Sequence, residues 1–143
     1  MISVGIDVSK GKSTVCILKP YGEIVSRPFE VKHLESDLES LAQMILRLDG
    51  EVKVTMEATG IYHLPVLNYL QEQGIFVAVI NPFEMKEYAC RGIRRVKTDR
   101  QDAITISNYG IDNWFRLENH KGSDETYAEL KLLGRQYLSL IHI

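Results

Sequence analysis

The sequence predicts a mixed α/β fold, in which helices cover both faces of one sheet. Three observations support this fold class: short strand patterns open the chain, an amphipathic helix follows them, and strand and helix patterns then alternate. With 143 residues and 45% hydrophobic content, the chain can bury one good core. We therefore expect one compact domain, over residues 1–115, followed by a different kind of segment over residues 116–143.

The first third of the chain predicts a meander of three strands. Strand patterns cover residues 2–7, 13–18 and 23–31. Turn residues separate them, at Lys10-Gly11 and at Pro20-Tyr21-Gly22. Short connections of this kind join neighbouring antiparallel strands.

The middle of the chain alternates between helix and strand. Apolar residues at steps of three and four predict an amphipathic helix that ends near Asp49-Gly50; they are Leu34, Leu38, Leu41, Ile45 and Leu48. Residues 52–56 alternate as a fourth strand, residues 62–73 are helical in pattern, and residues 75–80 form a fifth strand. The result is a mixed sheet with helices on both sides.

A further helix is predicted from Thr98 towards Gly110. Thr98 is a suitable N-cap, and Gln101 completes a capping box with it. Asp99 and Asp102 are three residues apart in this helix and project from nearly the same side. Two carboxylates so placed can share one ion.

The last segment is polar from Trp114 to Gly122 and then becomes helical in pattern. Its apolar stripe consists of Tyr127, Leu130, Leu133, Tyr137 and Leu140. The stripe covers about two heptads, fewer than a convincing coiled coil needs. We interpret it as the start of a helical connector, with a short helix that docks on the domain as the alternative.

Charge and cysteine content narrow the function classes. The net charge is −2, yet six basic residues form a local basic patch: Lys86, Arg91, Arg94, Arg95, Lys97 and Arg100. The two cysteines predict neither a disulfide framework nor a zinc site. No leader or apolar run of membrane-spanning length is present, so we expect a cytoplasmic protein.

Two further acids stand beside strands. Asp7 follows the first strand pattern and Glu57 ends the fourth, where a mixed sheet can place them side by side. Together with Asp99 and Asp102 they would form an all-oxygen site, which selects Mg²⁺ or Mn²⁺ and suits two-metal phosphoryl transfer. The basic residues, with Lys10 after the first strand, would then hold nucleic-acid phosphates.

Each of these residues also has an ordinary structural explanation. Asp7 is a possible turn residue, and Asp99 favours a helix N-terminus in any protein. Asp102 is placed to pair with Arg95 or Arg100, and a basic run is often only a solvated surface.

Three motifs in order carry a family resemblance. They are GIDVSK at residues 5–10, MEATGIY at residues 56–62 and KTDRQDA at residues 97–103. Together they resemble the N-terminal domain of the DEDD transposases of bacterial insertion sequences, the family numbered one-ten, which is similar to the Piv-type DNA invertases. The resemblance runs over nearly the whole chain.

The resemblance implies a ribonuclease H-like domain similar to the Holliday-junction resolvase RuvC. It implies that Asp7, Glu57, Asp99 and Asp102 bind Mg²⁺ or Mn²⁺ and act in DNA strand cleavage and exchange during bacterial transposition. It also implies a structured guide RNA, a homo-oligomer formed through the C-terminal helix, and a second, serine-bearing domain that this sequence does not contain.

Two other function classes remain open at this point. The segment GIDVSKGKST at residues 5–14 resembles the first phosphate hairpin of actin-like ATPases and sugar kinases. That class predicts a Gly-rich second phosphate loop and a longer chain, which the sequence does not show. The other class is a non-catalytic nucleic-acid-binding module, in which the basic segment matters and the acids are incidental.

Overall fold

The computed structural model describes residues 1–90 and 99–121, with Asp99 described by its backbone alone. Five strands form the sheet: β1 Ile2–Val8, β2 Lys12–Leu18, β3 Ile24–Lys32, β4 Val52–Glu57 and β5 Val77–Ile80. Four helices surround it: α1 Glu35–Leu46, α2 Leu64–Glu72, α3 Pro82–Cys90 and α4 Asp99–Asp112. Two short 3₁₀ turns occur at Pro20–Gly22 and Trp114–Arg116.

The strand order is β3-β2-β1-β4-β5. Strands β1, β2 and β3 pair antiparallel, as short hairpin connections require. Strand β4 pairs parallel to β1, and β5 pairs parallel to β4, with helices in the crossovers. The predicted meander and mixed sheet are therefore confirmed.

Alternation along β1 divides the molecule into layers. Its even-numbered residues are large and apolar, and they share one buried cluster with the inner residues of α1 and α2. Its odd-numbered residues Ser3, Gly5 and Asp7 point to the opposite face, where α4 packs. One face of the sheet is thus a conventional apolar core, whereas the other is built from small and polar residues at its centre.

The structure adds one helix that the sequence patterns did not predict. Helix α3 begins at Pro82 and buries only Met85, so it has no apolar stripe of helical period. Asn81 caps it, because its Oδ1 accepts a hydrogen bond from the Phe83 N–H at 2.8 Å. The helix is therefore set by its cap and its proline rather than by amphipathic spacing.

The other boundaries are close to expectation. Strand β1 extends to Val8, so Asp7 lies within the strand rather than after it. Helix α4 ends at Asp112, two residues beyond the predicted end. The proposed cap Thr98 and the predicted helix after residue 122 lie outside the described residues. None of the described helices has the length and hydropathy that spanning a membrane requires.

Residues 117–121 cover the outer edge of β5. Leu117 is buried, and the His120 N–H donates to the Val77 carbonyl at 2.7 Å. Asn119 Oδ1 accepts from the Val77 N–H at 3.0 Å. These contacts satisfy backbone groups that an edge strand would otherwise expose.

A buried histidine connects β2 with the segment before α1. His33 is 0% exposed, and its Nε2 lies 2.6 Å from Ser13 Oγ. Its Nδ1 has no hydrogen-bond partner within the described part of the chain. Burial lowers the pKa of His33 from 6.5 to about 4, because the imidazolium loses its hydration there.

We expect this histidine to make the fold acid-sensitive. Since its pKa is lower in the folded chain, the unfolded chain binds more protons below pH 6.5. The free energy of unfolding should therefore fall from pH 6.5 towards pH 4, by up to roughly 3 kcal/mol from this group. Urea unfolding at a series of pH values measures the slope.

The variant His33→Gln is the control for this slope. The pKa of His63 is also lowered by burial, so the wild-type slope contains both histidines. The variant should keep the His63 part and lose the His33 part. An identical slope in the two proteins would show that His33 does not titrate as its burial requires.

Candidate active site

The carboxyl-terminal ends of β1 and β4 bring two acids to one edge of the sheet. Ile6 stands opposite Met56 in the parallel register, so Asp7 and Glu57 occupy the next position on neighbouring strands. Neighbouring strands are about 4.8 Å apart. We call this end of the sheet, where β1, β4 and β5 terminate, the acid edge; it also includes the first turn of α4.

Both acids project from the face of the sheet on which α4 packs. A Cβ atom on Gly5 would lie 2.6 Å from the Ala103 carbonyl oxygen and 2.7 Å from Ser107 Cα. Gly5 therefore lets the backbone of α4 approach the backbone of β1. Thr55 also faces α4, because a Cβ atom on Gly110 would lie 2.9 Å from its Oγ1. Asp7 is two residues beyond Gly5 and Glu57 is two beyond Thr55, so both acids lie on the α4 face.

The direction of α4 brings its first turn to the same edge. Ser3, near the start of β1, contacts Ser107, whereas Gly5 contacts Ala103 and Ser107. Helix α4 therefore runs antiparallel to β1. Asp7, two residues beyond Gly5 in the strand, is then level with the helical turn that precedes Ala103. That turn contains Asp99 and Asp102.

The structure thus brings together the elements that carry the four predicted acids. Asp7, Glu57 and Asp102 are half-buried, and each makes at least one polar or electrostatic interaction. No group of three or more His, Cys, Asp or Glu side chains within the described residues is close enough to hold an ion. The side chain of Asp99, the fourth predicted ligand, lies outside the described part.

Two of the predicted cations flank the acid edge. Lys10 is exposed in the β1–β2 turn, where the Ser9 N–H and Oγ both donate to the Lys12 carbonyl, at 2.9 and 3.0 Å. Arg100 is exposed in the first turn of α4. The other predicted phosphate contacts, Arg91, Arg94, Arg95 and Lys97, lie outside the described residues.

A seam of small residues is the feature that the sequence patterns did not identify. Ala103, Ser107 and Gly110 are spaced by four and three residues on α4, and they pack on Ser3 and Gly5. The Ser3 hydroxyl donates to the Ser107 carbonyl at 2.7 Å, and the Ser107 hydroxyl donates to the Ser3 carbonyl at 2.9 Å. The signal was present in the sequence, because small residues replace large apolar ones on one face of β1.

A polar groove of about 690 Å³ lies between α3 and α4, beside the acid edge. Tyr88 Oη donates to Asp112 Oδ2 at 2.5 Å, and its ring meets that of Tyr109 edge-on at 5.1 Å. Burial, and then the Asp112 carboxylate, raise the pKa of Tyr88. The groove is not lined by Asp7, Glu57 or Asp102, so we do not identify it with the acid site.

We expect Gly5→Ala to disrupt the acid edge, because the new methyl group would overlap the backbone of α4. Overpacking against backbone costs about 1–3 kcal/mol or more. Urea unfolding should report this loss of stability. Gly11→Ala is the control, since its φ of +77° gives backbone strain but no atoms lie within 4 Å. A smaller loss for Gly5→Ala than for Gly11→Ala would contradict the close packing.

Comparison with known proteins adds three findings. A family model for DEDD transposases of the IS110 type, described as a transposase, matches residues 4–143. The structure of Thermus thermophilus RuvC in complex with a Holliday junction substrate is similar, with a TM-score of 0.56 and 15% identity over 81% of this chain and 96% of that one. A second T. thermophilus RuvC structure has a TM-score of 0.45 and 19% identity, over 97% and 95% of the chains.

No match to a curated protein was found. The likeness to the first RuvC structure confirms the ribonuclease H-like fold that the sequence resemblance implied.

Proposed function

The chain belongs to the family of IS110-type DEDD transposases, and we propose that it is a metal-dependent domain that cleaves DNA strands during transposition. One observation carries the proposal: β1, β4 and α4 meet at the acid edge. Their meeting brings Asp7 and Glu57 beside the turn that contains Asp99 and Asp102. The acids come from three separate parts of the sequence, and their elements meet at one edge of the sheet.

The donor set at this edge fits a hard divalent cation. The proposed ligands are all carboxylates, and oxygen ligands favour Mg²⁺ or Mn²⁺ over zinc. Asp7 and Glu57 would hold the ion from the sheet, and Asp99 and Asp102 would hold it from α4. When bound, such an ion supplies charge stabilisation and activates an oxygen nucleophile for displacement at phosphorus.

The cations at the edge suit a nucleic-acid substrate. Lys10 lies in the turn after β1 and Arg100 in the first turn of α4, so both belong to elements of the acid edge. The proposal includes a set that extends this basic rim: Arg91, Arg94, Arg95 and Lys97. Such contacts position the phosphate backbone and give salt-dependent affinity without reading sequence. Since the solved RuvC relative is described with a Holliday junction, branched DNA is the first substrate to test.

Other partners belong to the proposal through the family. We include a structured guide RNA, a second copy of the chain bound through the helix predicted after residue 122, and a serine-bearing domain. The cellular site is then the bacterial cytoplasm, where the DNA substrate lies.

Metal binding is expected to stabilise the folded domain. A ligand that binds only the native state at ten times its Kd adds about 1.4 kcal/mol. A thermal melt with and without Mg²⁺ or Mn²⁺ should show a higher Tm with the ion. Asp7→Asn and Glu57→Gln should each remove the shift.

The matched control for these variants is Asp49→Asn. Asp49 is exposed after α1, before β4 begins, and so stands at the opposite edge of the sheet. This variant should keep the full metal shift. A shift with ATP and magnesium, absent with magnesium alone, would instead favour the kinase-like class.

Charge reversal at the rim should weaken binding to branched DNA. Lys10→Glu and Arg100→Glu each remove a phosphate contact, so the affinity falls and the slope of log K against log salt decreases by about one. Fluorescence anisotropy over a salt titration measures both. Arg47→Glu, at the exposed end of α1 away from the acid edge, should leave the slope unchanged. Equal effects at all three positions would show that the attraction is nonspecific.

A further inference from the structure

An exposed aromatic side chain stands at the acid edge. Phe83 is 75% exposed and follows β5 by three residues. Scattered apolar residues are common on protein surfaces and need no explanation by themselves. The position of Phe83 relative to the proposed cleavage site is what distinguishes it.

Strand pairing connects Phe83 with Glu57. Ile80 stands opposite Glu57 in the parallel register of β4 and β5, and the Ala58 N–H donates to the Ile80 carbonyl at 3.0 Å. The chain then leaves β5 through Asn81 directly into α3. Phe83 therefore lies just beyond the C-terminal end of β5, at the same edge of the sheet as Glu57.

The backbone of Phe83 is held firmly in this position. Its N–H donates to Asn81 Oδ1 at 2.8 Å, and the Met85 N–H donates to the Asn81 carbonyl at 3.1 Å. Met85 is 5% exposed and packs in the cluster between the sheet, α3 and α4. The first turn of α3 is thus fixed to the sheet while the phenyl ring next to it is open to solvent.

The chemistry of this turn favours a base over a phosphate. Glu84 follows Phe83 in the first turn of α3, and its negative charge opposes an anion at that helix end. In the proposed function the phosphates are held instead by Lys10 and Arg100, which are exposed. The phenyl ring of Phe83 is then an exposed apolar surface at the same edge that a base of this strand could contact.

We propose that Phe83 is a positioning residue that stacks on an unpaired base of the DNA strand held at the acid edge. The inference rests on the proposed function. Stacking between a base and an aromatic ring contributes substantially to single-strand binding and tolerates any base. The ring would thereby fix the strand relative to the acids without selecting its sequence.

The chain contains a matched control. Phe115 is 90% exposed, but it belongs to the turn at Trp114–Arg116. The carbonyl of Trp114 accepts from Lys53 Nζ at 2.9 Å, near the start of β4. Phe115 therefore offers a similar ring at the opposite edge of the sheet, away from the acids.

The test measures binding of the whole chain to a labelled single-stranded oligonucleotide of about ten bases and to the matching duplex. Phe83→Ala should weaken binding to the single strand by about tenfold and change duplex binding much less. Phe83→Trp keeps an aromatic ring and should bind the single strand as the wild type does. Phe115→Ala should also keep the wild-type affinity for the single strand. Phe83→Leu keeps an apolar side chain without the aromatic face, so it should bind as weakly as Phe83→Ala.

A crosslinking readout locates the base directly. An oligonucleotide with 5-iodouracil at successive positions should crosslink to the peptide that contains residue 83, and not to the one that contains residue 115. Melting curves and molecular masses of all variants accompany the binding data. They show whether a variant is folded and whether its oligomeric state has changed.

The outcomes distinguish a failure of the role proposed for Phe83 from a failure of the proposed function. Unchanged single-strand affinity in Phe83→Ala or Phe83→Leu, with firm wild-type binding, would overturn the role of Phe83 and leave the proposed function intact. A change of molecular mass in Phe83→Ala with unchanged DNA affinity would assign the ring to a protein interface and also overturn it. A wild type that binds neither single strand nor duplex would defeat both proposals.

Discussion

The close contact between α4 and β1 at Gly5 is the constraint on which the acid edge depends. Because Gly5 has no side chain, the helix backbone lies against the strand, where any Cβ would meet the Ala103 carbonyl at 2.6 Å. The reciprocal hydrogen bonds between Ser3 and Ser107 satisfy the hydroxyl and carbonyl groups of these two residues, which this approach buries. Each such bond contributes on the order of 1 kcal/mol, but leaving either group unpaired would cost more.

The seam of small residues allows the backbones of α4 and β1 to approach closely, but it buries little apolar area. The remainder of α4 supplies that area through Ile106 and Tyr109, which share a cluster with β5 and Leu117. Beyond the helix, Lys53 Nζ lies over the rings of Trp114 and Phe76, at 4.8 and 5.0 Å. Helix α4 is therefore anchored mainly along its body and at its C-terminal end, which leaves its first turn to carry charge.

The layering of the fold was predictable because it depends on local periodicity. The strict alternation of β1 and the stripe of α1 each appear within a dozen residues, and both are confirmed. Helix α3 was not predictable in this way, since it buries only Met85 and owes its start to Asn81 and Pro82. Its limits depend on a cap rather than on a pattern.

The candidate site was likewise predictable only where it depends on local spacing. Helical spacing alone placed Asp99 and Asp102 on one side of one helix. That the first turn of α4 lies at the edge where β1 and β4 carry Asp7 and Glu57 depends on the parallel register of these strands and on the approach of α4 at Gly5. Those are contacts between residues far apart in sequence, which no local pattern records; the family resemblance supplied what periodicity did not.

The start of α4 also offsets part of the repulsion expected among acids that lie at one edge of the sheet. Strands β4 and β5 end at this edge, and α3 begins directly after β5. The contacts of Gly5 with Ala103 and Ser107 place the first turn of α4 there as well. A helix N-terminus carries partial positive charge, and an acid in the first turn gains about 0.3–1 kcal/mol from it. Aspartates at positions 99 and 102 therefore stabilise the helix that positions them, which offsets part of their repulsion with Asp7 and Glu57.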